Sequence, residues 1–143
     1  MTDFAPLPIA DDTTAILDLW FGDHQVGQFK MRFVDRYAPP YQLLLARVRR
    51  RLSRADQQRV DSPKTEEDVR LAHRLEVDVF VDSGAVVSWT MLGKDGTPVP
   101  FSESALRDFL NHPSYLWALP QLRAFSFDPE NFTGGSREKV AGE

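Results

Sequence analysis

Two adjacent prolines, Pro39 and Pro40, mark the change between two hydrophobic periods, and this change constrains the fold more than any other sequence feature. Before them, residues 29–33 alternate apolar and basic side chains, which is typical of a half-buried strand. Residues 13–21 are rich in β-branched and aromatic side chains, and glycines separate the two segments. The sequence therefore predicts an antiparallel hairpin and then a helix, because proline suits the first helical turn. Apolar residues after the prolines recur at helical spacing: Tyr41, Leu44, Leu45, Val48 and Leu52.

Length and composition indicate one globular domain. A chain of 143 residues buries about two-thirds of its unfolded surface, so it needs no metal or disulfide to fold. The absence of cysteine excludes disulfides, thiolate zinc sites and cysteine nucleophiles. We expect an extended N-terminal arm over residues 1–12, a globular domain over 13–133 and a disordered tail over 134–143. No secretory signal or membrane span is evident, so we expect a cytoplasmic protein, or a component of a particle assembled in the cytoplasm.

The middle of the chain contains one ambiguous segment. Thr65 precedes three acidic residues, which predicts a helix start, and the polar residues 55–64 before it predict a loop. Residues 75–81 are β-branched and alternate with a period of two, as in a strand. One interpretation is a long helix that ends near Val81, and the other is a hairpin that turns at residues 82–84. Periodicity alone slightly favours the hairpin.

The C-terminal third predicts two helices. Ser102 suits the N-cap of a helix over residues 103–111, with Leu106, Phe109 and Leu110 on its apolar side. A last helix starts near Ser114. Pro120 interrupts its apolar pattern, so we expect a kink or break near Trp117.

The sequence shows no catalytic, cofactor or metal motif. The three histidines, His24, His73 and His112, have no metal-ligand spacing, and no serine lies in a nucleophile elbow. The segment 93–96 is too short for a phosphate loop and predicts a turn. We therefore expect a protein that is not an enzyme, with no catalytic residues, no cofactor and no metal.

A basic run and the aromatic residues are the candidates for binding. The run could bind anions or nucleic acid, but the net charge of −4 disfavours nucleic acid and favours a solvated helix face, neutralised in part by the acids at 66–68. Most of the three tryptophans and ten phenylalanines belong in a core, yet so many in a small chain favour a protein–protein role. The basic run consists of Arg47, Arg49, Arg50, Arg51 and Arg54.

Several motifs give the chain a family resemblance. A tryptophan closes the apolar run 86–89, a Lys-Asp-Gly turn follows at 94–96, and a Pro-x-Pro-Phe-Ser segment occupies 98–102. A leucine-containing segment at 106–110, Pro113 and a closing Asn-Phe come next, and the motifs at 29–33 and 39–41 lie upstream. In these features, over roughly residues 29–132, the chain resembles small tailed-bacteriophage proteins described as tail assembly chaperones or minor tail-region proteins, in which an apolar helix ends near the tryptophan.

The resemblance implies a fold and a role. The fold would be α+β, a mainly helical single domain with an N-terminal β-hairpin, with residues 75–81 helical and with Trp89 and Phe101 closing the core. The role would be to bind the tape-measure protein in the host cytoplasm during tail morphogenesis, with self-association as a further possibility. Its predicted partner-binding residues are Arg47, Arg50, Arg51, Arg54, Tyr115 and Trp117.

Other functions stay open at this point. A minor structural protein of the tail or neck would be present in finished virions, whereas a chaperone would be absent from them. An anion- or nucleic-acid-binding module that uses the arginine-rich helix would show binding that falls steeply with salt. An enzyme with an unrecognised site would need a pocket that contains titratable groups with shifted pKa values.

Overall fold

The computed structural model describes residues 4–5, 7–10, 12–133 and 138–140. Its strands are β1 Thr14–Phe21, β2 His24–Arg32, β3 Val86–Met91 and β4 Glu138–Val140. Its helices are α1 Pro39–Arg50, α2 Arg54–Asp61, α3 Glu66–Asp82, α4 Glu103–Asn111 and α5 Ala118–Phe127, with a short 3₁₀ helix at Pro129–Phe132. The predicted α+β class with an N-terminal β-hairpin is confirmed.

The sheet has the strand order β3-β2-β1-β4. β1 and β2 form the antiparallel hairpin, whose turn contains Gly22 at a φ of 63°, a conformation that favours glycine. β3 pairs antiparallel with β2, and β4 pairs parallel with β1. Alternate residues of β1 and β2, such as the register partners Leu17 and Phe29, are buried in the main core, whereas Lys30, the next residue along β2, is exposed. The alternation seen in the sequence therefore reflects one buried face of the sheet.

Residues 75–81 belong to α3, so the hairpin interpretation of this segment is wrong. The second half of α3 is buried on two sides. Phe80 and Val81 lie in the main core, whereas Val79 packs against Leu44 and Val48 of α1 in a smaller cluster. Because two separate clusters cover this helix, its apolar residues are not confined to one stripe, and they mimic the alternation of a strand.

Trp89 lies on a strand and not at the end of a helix, which corrects the family pattern at this position. α3 ends at Asp82, and Gly84, with a φ of 74°, turns the chain into β3. The Trp89 ring packs edge-on against Phe101 with centroids 5.3 Å apart, and its indole N–H donates to the Val99 carbonyl at 2.8 Å. Trp89 and Phe101 thus close the core as expected.

The predicted loop over residues 55–64 is wrong, because α2 occupies most of it. The Ser53 hydroxyl accepts a hydrogen bond from the Asp56 backbone N–H at 3.1 Å and caps the helix. Arg59 then pairs with Asp56 at 2.9 Å and with Asp68 of α3 at 2.7 Å. A polar helix held by its cap and by ion pairs has no hydrophobic period, so only the Ser-x-x-Asp spacing signals it.

Removal of this cap gives a first test of the fold. We expect Ser53→Ala to lower the free energy of unfolding by about 1 kcal/mol, since α2 loses its N-terminal hydrogen bond. Urea unfolding followed by circular dichroism measures this change. Ser104→Ala, at an exposed position within α4, is the control and should change stability by less than about 0.5 kcal/mol. Equal effects of the two substitutions would contradict the cap.

The C-terminal helices agree only in part with the prediction. α4 spans the predicted residues, and the Ser102 hydroxyl accepts from the Ala105 N–H at 2.9 Å. α5 begins at Ala118, four residues after the predicted start at Ser114. The break near Trp117 is therefore the start of the helix, which places Pro120 in its first turn, where a missing N–H costs nothing.

The two ends of the chain are described only in part. Within the predicted arm, residues 4–5, 7–10 and 12 contain neither helix nor strand, and Ile9 packs against the main core. Residues 1–3, 6 and 11 lie outside the described residues. Within the predicted disordered tail, residues 138–140 form β4, while 134–137 and 141–143 lie outside the described residues.

Candidate functional site

The turn between α4 and α5 presents two of the predicted partner-binding residues, and its own hydrogen bonds hold it in shape. The Ser114 N–H donates to His112 Nδ1 at 3.1 Å, and the Tyr115 N–H donates to the His112 carbonyl at 2.9 Å. The Trp117 indole N–H donates to the Ser114 carbonyl at 2.8 Å. These bonds hold the backbone of the turn and the Trp117 ring in place before any partner arrives, which lowers the entropy cost of binding.

Tyr115 and Trp117 form a continuous surface with Phe21, which we call the aromatic surface. Phe21 is the last residue of β1, and 65% of it is exposed. Its ring centroid lies 5.5 Å from Trp117, and the rings of Tyr115 and Trp117 lie 6.4 Å apart. Tyr115 in turn packs on the buried ring of Phe109 at 4.8 Å, so the surface rests directly on the core.

A cleft of about 700 Å³ lies beside Tyr115. The ends of β2 and β3 and the following turn form its walls, and the exposed Leu92 lies at this edge. Its charged or titratable lining is limited to His24, Lys94 and Tyr115 among the described residues. The aromatic surface is therefore bordered by a concave region that could receive side chains of a partner.

The predicted arginine residues stand in two environments. Arg51 lies 3.5 Å from Asp82 and its neighbour Arg49 lies 2.5 Å from Asp61. The exposed side chains of Arg47, Arg50 and Arg54 have no acidic partner within 4 Å among the described residues. α1 and the start of α2 thus carry three uncompensated positive charges.

The acidic residues at 66–68 were expected to neutralise this basic run, and that expectation is wrong. Glu66 and Glu67 pair with Arg70 of their own helix, at 3.5 Å and 3.0 Å. Asp68 pairs with Arg59 of α2. Arg70 follows these glutamates by four and three residues on α3, so their side chains lie on one face of the helix and pair with each other. The glutamates therefore pair within α3 and not with α1.

The arginine residues and the aromatic surface lie at opposite ends of the sheet. Arg51 contacts Asp82, close to Ala85, whose carbonyl accepts from the Arg32 N–H at the far end of β2. Trp117 packs on Phe21 at the other end of β1. An eight-residue strand spans about 23 Å at about 3.3 Å per residue, so the six predicted residues form two separate surfaces.

Asp68 has the most strongly shifted carboxyl group, and its partners indicate a structural role. Arg59 Nε donates to it at 2.7 Å and the Lys64 N–H at 3.0 Å, and these hydrogen bonds lower the pKa of Asp68 to about 2. The Asp68 backbone N–H also donates to the Thr65 hydroxyl, which caps α3. The cluster therefore joins α2 to the start of α3.

This shift makes stability depend on pH. The charged Asp68 stabilises the fold above its unfolded pKa of about 3.9, and this contribution disappears as pH falls through about 2. We expect Asp68→Asn to lower the thermal midpoint at pH 7 and to match the wild type more closely near pH 2. Thermal unfolding across this range measures the difference, with the exposed Asp108→Asn as control. A pH-independent difference for Asp68→Asn would contradict the account.

The three histidines stay apart. His24 is exposed on β2, His73 lies 2.8 Å from the Leu110 carbonyl, and His112 belongs to the α4–α5 turn. Within residues 4–5, 7–10, 12–133 and 138–140, no group of three or more histidine, aspartate or glutamate side chains could hold a metal ion. None of the described helices combines the length and apolar character that crossing a membrane requires.

A scan against models of known protein families, a search of curated proteins and a search of solved structures each found no match.

Phe21 is the functional candidate that sequence analysis missed. Its signal is a large aromatic residue at the end of an amphipathic strand, directly before Gly22. That position alone does not distinguish a buried ring from an exposed one. Its contact with Trp117, 96 residues further along the chain, makes it part of a surface.

Proposed function

We propose that this chain is a non-enzymatic tail assembly chaperone of a tailed bacteriophage, which binds the tape-measure protein during tail morphogenesis. The sequence resemblance supports the class of function, and the aromatic surface supports protein binding. The observation that carries the proposal is the packed pair of Phe21 and Trp117 rings, tilted by 39° and held at the surface on a fixed turn.

The chemistry of the aromatic surface suits a helical protein partner. Tryptophan and tyrosine are enriched among the residues that dominate binding energy, because they bury a large area at low entropy cost. A long amphipathic helix presents an apolar stripe that such rings can cover, and coverage keeps the helix from aggregating. Several copies on one long partner would bind with higher avidity than one copy alone.

Affinity purification from phage-producing cells tests this function. We expect the tagged chain to recover a long helical tail protein at moderate salt and to be absent from purified particles. A tagged Phe21→Ala, Trp117→Ala double variant is the matched control and should lose that protein. Recovery of no tail protein would contradict the proposal, and presence of the chain in finished particles would indicate a minor virion component instead.

Arg47, Arg50 and Arg54 favour a second candidate function, an anion- or nucleic-acid-binding module. Their side chains have no acidic partner within 4 Å in the described part of the chain, so they are available to phosphate groups. Binding to a labelled oligonucleotide that falls steeply between 50 and 200 mM salt, and that the triple alanine variant loses, would favour this candidate over the chaperone.

A further inference from the structure

A second apolar depression lies on the α3 side of the α4–α5 turn, and we call it the α3–α4 groove. It has a volume of about 370 Å³ and lies between the first half of α3 and the end of α4. Two of its apolar side chains remain largely open, Val69 at 58% exposure and Leu116 at 43%. The groove is lined by Val69, Arg70, His73, Arg74, Asn111, Pro113 and Leu116.

The walls of the groove are tied together. His73 Nε2 lies 2.8 Å from the Leu110 carbonyl, which links the middle of α3 to the end of α4. Further along the same pair of helices, Arg107 of α4 pairs with Asp78 at 3.1 Å and also with Asp82. A ligand would therefore meet a groove that is already formed, without a cost for assembling it.

The charge at the rim of the groove is unbalanced. Arg70 is held by Glu66 and Glu67, so its charge is compensated within α3. Arg74, one turn later and exposed, has no acidic side chain within 4 Å among the residues that the structure describes. The groove thus combines an apolar floor with one free positive charge at its edge.

We infer that the α3–α4 groove binds an amphipathic helix of a partner protein that carries an aspartate or glutamate beside its apolar stripe. The choice of a helical partner rests on the proposed function, and the acidic residue follows from the free charge of Arg74. Apolar side chains of the helix at i and i+3 or i+4 contact Val69 and Leu116, as in other helix-in-groove complexes. The carboxylate pairs with the Arg74 guanidinium, which fixes the position of the helix along the groove.

Two synthetic helical peptides of about 18 residues test this inference. They share one leucine stripe at helical spacing and differ in its flanking residues, glutamate in one and lysine in the other. Fluorescence anisotropy with the full chain should show that the glutamate peptide binds at least about tenfold tighter. Arg74→Glu should reverse this preference, and Leu116→Asp should weaken both peptides. Equal affinity for the two peptides, or no reversal by Arg74→Glu, would overturn the inference.

Matched controls separate the groove from general charge effects. Leu43→Asp changes an exposed leucine on α1, and Lys30→Glu changes an exposed lysine on β2. Both should leave the peptide affinities unchanged. Loss of the preference in these controls as well would overturn the inference. Because Arg74 is exposed, its variant should fold even if Leu116→Asp does not, and circular dichroism checks each one.

Failure of this inference is distinguishable from failure of the proposed function. Suppose that no tail protein is recovered from phage-producing cells, but the chain prefers the glutamate peptide and Arg74→Glu reverses this preference. The groove inference is then supported and the chaperone role fails. If a tail protein is recovered equally by the wild type and Arg74→Glu, and the peptides do not discriminate, the groove inference fails and the chaperone role stands.

Discussion

Trp117→Ala is expected to weaken binding of the partner protein by at least about 2 kcal/mol, which is roughly thirtyfold in Kd. The Trp117 ring bridges Phe21 and Tyr115, so its removal takes away the centre of the aromatic surface and frees the Phe21 ring to move. The lost binding energy therefore exceeds what burial of the Trp117 side chain alone would provide. Titration of the purified partner against wild type and variant by calorimetry measures this change.

The control for this prediction is another exposed aromatic residue. Tyr37, which is 77% exposed just before α1, does not belong to the aromatic surface, and Tyr37→Ala should leave the affinity within about twofold. Phe21→Ala and the double variant complete a cycle, with a coupling of about 0.5–1.5 kcal/mol expected for a packed aromatic pair. Unchanged affinity of a folded Trp117→Ala variant would contradict the role of the aromatic surface in partner binding.

Phe80→Ala is expected to lower the free energy of unfolding by about 3–5 kcal/mol. Phe80 is 2% exposed and lies in the main core, which it shares with buried residues of the sheet and of α4. Removal of its ring leaves a cavity that the surrounding helices fill only in part. Since small domains are stable by about 5–15 kcal/mol, the variant should approach partial unfolding at 37 °C.

This variant also distinguishes the two interpretations of residues 75–81. In the hairpin, Phe80 would share the exposed face with Glu76 and Asp78, and its truncation would cost little. In α3 it is buried, and the cost is large. Urea unfolding measures the difference, with Leu43→Ala on the exposed side of α1 as control. A loss below about 1 kcal/mol for Phe80→Ala would contradict the helix.

The sequence predicts those elements whose burial is one-sided. The hairpin has one face in the core, so its alternation is visible, and α4 shows its buried residues Leu106, Phe109 and Leu110 at helical spacing. α2 has no buried residues. Its Asp61 pairs with Arg49 of α1 and its Arg59 pairs with Asp68 of α3, and these ion pairs stabilise it together with its cap. Such pairs join segments that only the tertiary fold brings together, so periodicity does not reveal them.

The candidate binding surfaces could be predicted by residue type but not by arrangement. Tyr115 and Trp117 were among the predicted partner-binding residues, and they do lie together. The arginine residues lie elsewhere because α1 packs on the C-terminal half of α3, at the end of the sheet away from Phe21. This separation depends on the crossing of α1 and α3, which no local pattern specifies.

Site-specific photo-crosslinking in phage-producing cells can show whether the aromatic surface binds a long helical tail protein. Phe21→p-benzoylphenylalanine places a crosslinker on the aromatic surface with little change in shape, and Tyr37→p-benzoylphenylalanine places one on an exposed site away from it. We expect a crosslink to the tail protein from position 21 and none from position 37. No crosslink to a tail protein from position 21, or equal crosslinks from both positions, would contradict this expectation.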